Sequence, residues 1–132
     1  MNKKGIQEHL ANNGLTEIEE IEYKNDAYVL RFFYDFDKDE INAARAYAND
    51  ESEDEENGDI WYEEFFLPYL SDVAVDNVGD MMEEIMEEFD IDAQFVSYEM
   101  DEEEYSYNEF IAAFFKKGEE KDIEQILEEL EI

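Results

Sequence analysis

The chain has no cysteine. Disulfides, thiolate nucleophiles and zinc–sulfur centres are therefore excluded. It has one proline, Pro68, and five glycines, at 5, 14, 58, 79 and 118, too scattered for a phosphate-cradling loop. It has one histidine, His9, and no run of about 18 apolar residues, so no membrane span is expected. Positive charge is the scarcest property: 9 Lys and Arg stand against 41 Asp and Glu, for a formal net charge of −32. That excess repels nucleic-acid backbones and anionic membranes, which excludes direct binding to either. The opening residues Met1-Asn2-Lys3-Lys4-Gly5 meet polar Gln7-Glu8-His9 at once, so no signal peptide is expected and the cytoplasm is the expected location.

Apolar bulk is not scarce. Of 132 residues, 44% are hydrophobic and 15% aromatic, too much for a disordered acidic chain. The length suits one domain spanning 1–132. Its acidity is uneven: the 70 residues from Ala46 to Phe115 hold 24 acids and no base, leaving a net charge of −8 on the other 62. Folded surfaces ordinarily intersperse the two signs, because like charges weaken the compact state. Adaptation to high salt fits poorly with 20 aromatics and 11 isoleucines.

Hydrophobic periodicity predicts a short helix over 4–13 and a strand over 17–23, followed by a turn at Lys24-Asn25-Asp26. Residues 27–36 alternate most clearly. Tyr28, Leu30, Phe32, Tyr34 and Phe36 share a face to be buried; Val29, Arg31, Phe33 and Asp35 share a half-apolar one. Asp37 with Glu40 fits a capping box for a helix ending near Asn49. Residues 50–59 hold seven acids and nothing apolar, which predicts a mobile loop. The apolar segment 60–67 is expected to end or kink at Pro68. A helix over 71–89, with Ser71 as N-cap, should bury Val75, Val78, Met82, Ile85 and Phe89. A strand over 93–100, an acidic turn at 101–104, a strand over 107–115 and a helix over 121–131 complete the chain. The result is an α+β fold of antiparallel hairpins with helices on the sheet, in the order αββα, acidic loop, (α)αββα, with an internal duplication suggested.

Candidate chemistry is sparse. His9 stands on a polar helix and no serine lies in a Gly-x-Ser-x-Gly elbow, so no catalytic residue is expected. Asp35-Phe36-Asp37-Lys38-Asp39 imitates the start of a calcium loop. It fails where Gly should stand at Glu40 and Glu at Ala46. No cofactor or metal site is expected. With 41 acids, some carboxylate pair always falls at a glycosidase-like distance, so that signal carries no weight.

One pattern is more specific. Asp72, Asp76, Asp80, Glu84 and Glu88 recur at i+4, with Glu83 and Glu87 beside them, opposite the apolar stripe. At about 1.5 Å per residue the seven span about 24 Å, roughly one charge per 3.4 Å, close to the charge spacing along one DNA strand. Asp54, Glu55 and Glu56 of the loop and Glu102 and Glu103 of the turn extend the acidic surface. Trp61, Tyr62, Phe65, Phe66 and Tyr69 serve either as core or as an anchor within an acidic rim, with Trp61 the leading anchor candidate. Together these predict a non-enzymatic protein that engages a basic protein surface, as a DNA mimic that inhibits a DNA-binding protein, or as an immunity protein against a nuclease. The competing expectation is a housekeeping or structural protein whose acidity serves solubility, with weak divalent-cation binding.

Overall fold

A computed structural model describes residues 1–23 and 26–132. The elements are α1 (Lys3–Asn12), β1 (Thr16–Ile21), β2 (Tyr28–Asp35), α2 (Lys38–Glu51), a π-helical segment (Trp61–Phe66), α3 (Leu67–Phe89), β3 (Ile91–Ser97), β4 (Tyr107–Lys116) and α4 (Ile123–Glu129). Lys24 and Asn25 of the expected turn lie outside the described residues.

The four strands form one antiparallel sheet in the order β1-β2-β4-β3. The fold is α+β, with helices packed on the sheet. The β2 alternation buries Tyr28, Leu30 and Phe32 on one face, and Phe32 stacks on Phe110 of β4 at 5.8 Å. The side chains of α1, α2 and α3 close that core, through Ile6 and Leu10, Ala44 and Ala48, and Leu70, Ala74, Val78 and Ile85. On the opposite face, α4 lays Ile123 and Ile126 over Val29, Ile111 and Ala113. Gln94 pins its start: the side-chain amide donates to Lys121 O at 2.8 Å and accepts from Ile123 N at 2.8 Å. The strand order is what a repeat would give. Yet α2 and α4 lie on opposite faces, so the halves are not layered alike and a duplication is not established.

The Asp37–Glu40 capping box forms, and α2 runs on to Glu51, two residues past the expected end. Pro68 does not break the chain's course. Helical backbone begins at Asp59 and runs unbroken to Phe89. A proline ring inside a regular α-helix strikes the carbonyl four residues back, here Glu64. The turn preceding it is widened, with Leu67 N donating to Tyr62 O five residues back, and this gives the ring room. Pro68 then stands directly after the widened turn, as the second residue of α3. Ser71 is consequently inside α3 rather than its cap. Of the expected stripe Val78, Met82 and Ile85 are buried, with Leu70, Ala74 and Met81 beside them, while Val75 and Phe89 are half-buried. The edge strand β1 is bulged between Thr16 and Glu19, where Glu17 adopts φ 48°. β3 starts and ends earlier than expected, because left-handed Asp90 terminates α3 and turns the chain straight into it.

Candidate functional site

All seven carboxylates proposed on the long helix, Asp72, Asp76, Asp80, Glu83, Glu84, Glu87 and Glu88, are exposed on α3. Their arrangement follows from the helix period once the opposite stripe is fixed in the core. They do not form one uniform strip. At the C-terminal half, α1 packs alongside, and His9 sets Nε2 3.8 Å from Glu84 Oε1 and Nδ1 3.3 Å from Glu88 Oε2. Gly5 permits this approach: a Cβ there would meet Phe89 Cε1 at 2.9 Å. His9 is therefore not a solvent-facing residue but a half-buried neighbour of two carboxylates. Of the two carboxylates, Glu88 stands in the last turn of α3, where a helix disfavours anions and α3 has no base of its own. Towards the N-terminal half, Asp72, Asp76 and Asp80 have no ion-pair partner among the described residues.

The first turn of α3 forms a ridge between two hollows. One, of about 800 Å³, has Leu67, Pro68 and Met100 as apolar walls and Glu63, Asp72, Glu99 and the 101–104 turn around them. Glu102 and Glu103 are exposed here and face the same space as Asp72. Their backbone is fixed by Asp101, whose Oδ1 accepts from Glu103 N at 2.9 Å and Glu104 N at 2.7 Å. The other hollow, of about 390 Å³, lies between α2 and α3. It is lined by Tyr47, Glu64, Phe65, Pro68, Tyr69, Asp72, Val73 and Asp76.

The acidic loop reaches the same end through Arg45. This guanidinium donates to Tyr105 Oη at 2.9 Å and to Asn57 Oδ1 at 3.3 Å, and lies 3.7 Å from Glu56. It also sits 5.3–5.9 Å from the ring centroids of Trp61, Phe66 and Tyr105. The loop lacks apolar anchors, yet it is tethered by polar ones. Of its three proposed contact residues, Glu55 is exposed, Glu56 faces Arg45, and Asp54 folds back over Gly58. A Cβ on Gly58 would collide with Asp54 Oδ2 at 2.1 Å.

Trp61 requires a correction. It is 1% exposed, stacks on Phe66 at 4.9 Å, and donates its indole N–H to Asn49 Oδ1 at 2.9 Å. An anchor must be reachable, and Trp61 is core. The aromatics that reach the surface near it are instead the exposed Tyr47 and the half-buried Phe65 and Tyr69. Tyr47 lies 5.2 Å from Tyr69 and 6.4 Å from Phe65. Nothing in the sequence singled out Tyr47, which stands in an unremarkable stretch of α2, and Glu63, Glu64 and Glu99 were likewise outside the proposed set.

Among the described residues, no three His, Asp or Glu side chains converge as a metal-binding group, and no helix is long and apolar enough to cross a membrane. Compared with protein-family models, with curated proteins and with solved structures, the chain matches none.

Proposed function

We propose that the chain is a non-enzymatic binding protein of the cytoplasm that engages a basic protein surface, acting as a DNA mimic against a DNA-binding protein or nuclease. The observation that carries this is the row of carboxylates held outward on the 23-residue α3, whose opposite face is locked in the core. A rigid row of charges presents a fixed spacing, as a phosphate backbone does; a floppy acidic tail cannot. The N-terminal half is the stronger contact, because His9 neighbours Glu84 and Glu88, and among the described residues no base neighbours Asp72, Asp76 or Asp80. Complementary charge of this kind gives fast association that weakens with salt.

The test starts from a DNA-binding protein recovered on the immobilised protein from its native host. Its DNA affinity is measured with and without this chain. Competition is expected, and it should be lost when Asp72, Asp76 and Asp80 are reversed to Lys. That triple leaves the apolar stripe and the His9 contacts untouched, so the fold should persist. Reversal of Glu124, Glu128 and Glu131, on and just beyond α4, is the control and should matter far less. A partner that holds DNA and this protein together, or equal binding by both triples, refutes the proposal.

A further inference from the structure

The chain has two arginines, Arg31 and Arg45, and both are held in the same way. Arg31 lies 5.5 Å from the Phe33 ring centroid, with Nη1 3.2 Å from Glu19 Oε1 and Nε bonded to Glu109. Arg45 lies over three rings with Glu56 beside it. The pairing is chemically sound: a guanidinium is planar and weakly hydrated, so it can stack on an aromatic face while its edge donates to carboxylate.

A third place offers the same combination without a cation. In the hollow between α2 and α3, Tyr47, Phe65 and Tyr69 supply aromatic surface, and Glu64, Asp72 and Asp76 supply carboxylates. Tyr47 is 42% exposed, which is unusual for a large aromatic whose ring packs against two others. None of the three carboxylates has an ion-pair or hydrogen-bond partner among the described residues. The volume of about 390 Å³ falls within the range of small-ligand sites, about 300–1,000 Å³.

We infer that this cleft receives an arginine side chain from the basic partner. The inference rests on the proposed function and specifies where the partner's cation seats. The guanidinium stacks against Tyr47 or Tyr69 and its N–H groups point to Asp72 and Asp76. Lysine is second best, since its compact ammonium keeps more of its water and lacks the planar fork.

Two peptides test this: twelve residues alternating glycine and arginine, and the same peptide with lysine. Affinities are measured at low salt, and the tyrosine ring signals are followed by NMR. The arginine peptide should bind more tightly, by about two- to fivefold, the worth of one exposed cation–π contact. It should shift the Tyr47 and Tyr69 ring signals. Tyr47→Leu, which changes only a half-exposed ring, should bring the ratio towards one while the lysine peptide keeps its affinity. Asp72→Asn with Asp76→Asn should weaken both peptides. Binding of both peptides with unmoved ring signals, or an arginine preference that survives both Tyr47→Leu and Tyr69→Leu, overturns the cleft while leaving the acidic surface as a partner site. If neither peptide binds, both the cleft and the proposed function fall.

Discussion

Arg45→Met is the sharpest probe of how the acidic end is assembled. The substitution keeps the aliphatic stem and removes the guanidinium. The lost bond to Tyr105 is charge-assisted but partly exposed, so it is worth about 1.5 kcal/mol, the low end for charged donors. Loss of the ring contacts adds about 0.5–1 kcal/mol. The Glu56 pair and the Asn57 bond are on the solvent side and add about 0.5 kcal/mol at most. Because these contacts share one group they are not additive, and a net loss of about 2 kcal/mol follows. For a domain of this size that lowers Tm by roughly 8 °C, at about 4 °C per kcal/mol. Melting should be followed by circular dichroism in 0.5 M NaCl, so that the extra net negative charge is screened. Arg45→Lys keeps the charge without the fork and should recover less than half. The same change should release the 52–58 loop, so a Glu-specific protease should cut there sooner in Arg45→Met than in the parent. A Tm shift under about 2 °C with unchanged cutting would place Arg45 among ordinary surface residues, whose substitutions stay within about 0.5 kcal/mol, and would refute the tether.

Three further outcomes are expected. Tm should rise between low salt and 0.5 M NaCl, because screening relieves a net charge of −32 more than it weakens the six Lys and Arg ion pairs of the described residues; a fall would mean that attraction dominates. Burial and the bond to Glu40 push the Tyr34 hydroxyl from 10.0 up to about 12. The unfolded chain thus releases this proton first, so its contribution is intact below pH 10 and is lost as pH climbs to 12. Tm should fall over that window less steeply in Tyr34→Phe, with Tyr28 and Tyr98, also raised, supplying the remaining slope; equal slopes would contradict the assignment. Trp61→Ala should cost about 3–5 kcal/mol, as for a fully buried aromatic. Trp61→Phe should leave partner affinity unchanged, and a large affinity loss there would restore Trp61 as an anchor.

The sequence carries this fold plainly where one period decides it. Alternation from Tyr28 to Phe36 fixes which face of β2 is buried, and the Asp37–Glu40 pair fixes where α2 begins. It misleads where the outcome depends on a neighbour. Pro68 reads as a stop because the rule assumes a regular α-helix, and a widened turn removes that premise. The placement of α4 opposite α2 rests on Ile123 and Ile126 meeting Val29, Ile111 and Ala113 across the sheet, with Gln94, a polar residue that no periodicity marks, bonded to its start. The site divides in the same way. Outward carboxylates on α3 follow from helix geometry alone. The meeting of Tyr47 with Tyr69, or of Arg45 with Tyr105, requires knowing how α2 lies against α3 and the far hairpin, and no local pattern encodes that.

The energetics of α3 explain how a helix so charged can persist. Its proposed contact residues make five like-charge i,i+4 pairs, costing about 0.2–0.5 kcal/mol each and so about 1–2.5 kcal/mol in total. Burying Leu70, Val78, Met82 and Ile85 returns about 1.5–3 kcal/mol apiece. The core therefore wins by a wide margin, and the helix does not depend on its outer face for stability. At the C-terminal end the His9 imidazole stands beside Glu84 and Glu88, the second of which lies in the last turn, where a helix disfavours anions. At the other end Asp72, Asp76 and Asp80 have no ion-pair partner among the described residues, and Asp72 lines both hollows. On the proposed reading, the positive charge that would face Asp72, Asp76 and Asp80 is supplied by the partner, and reversal of these three to Lys is the change that tests it.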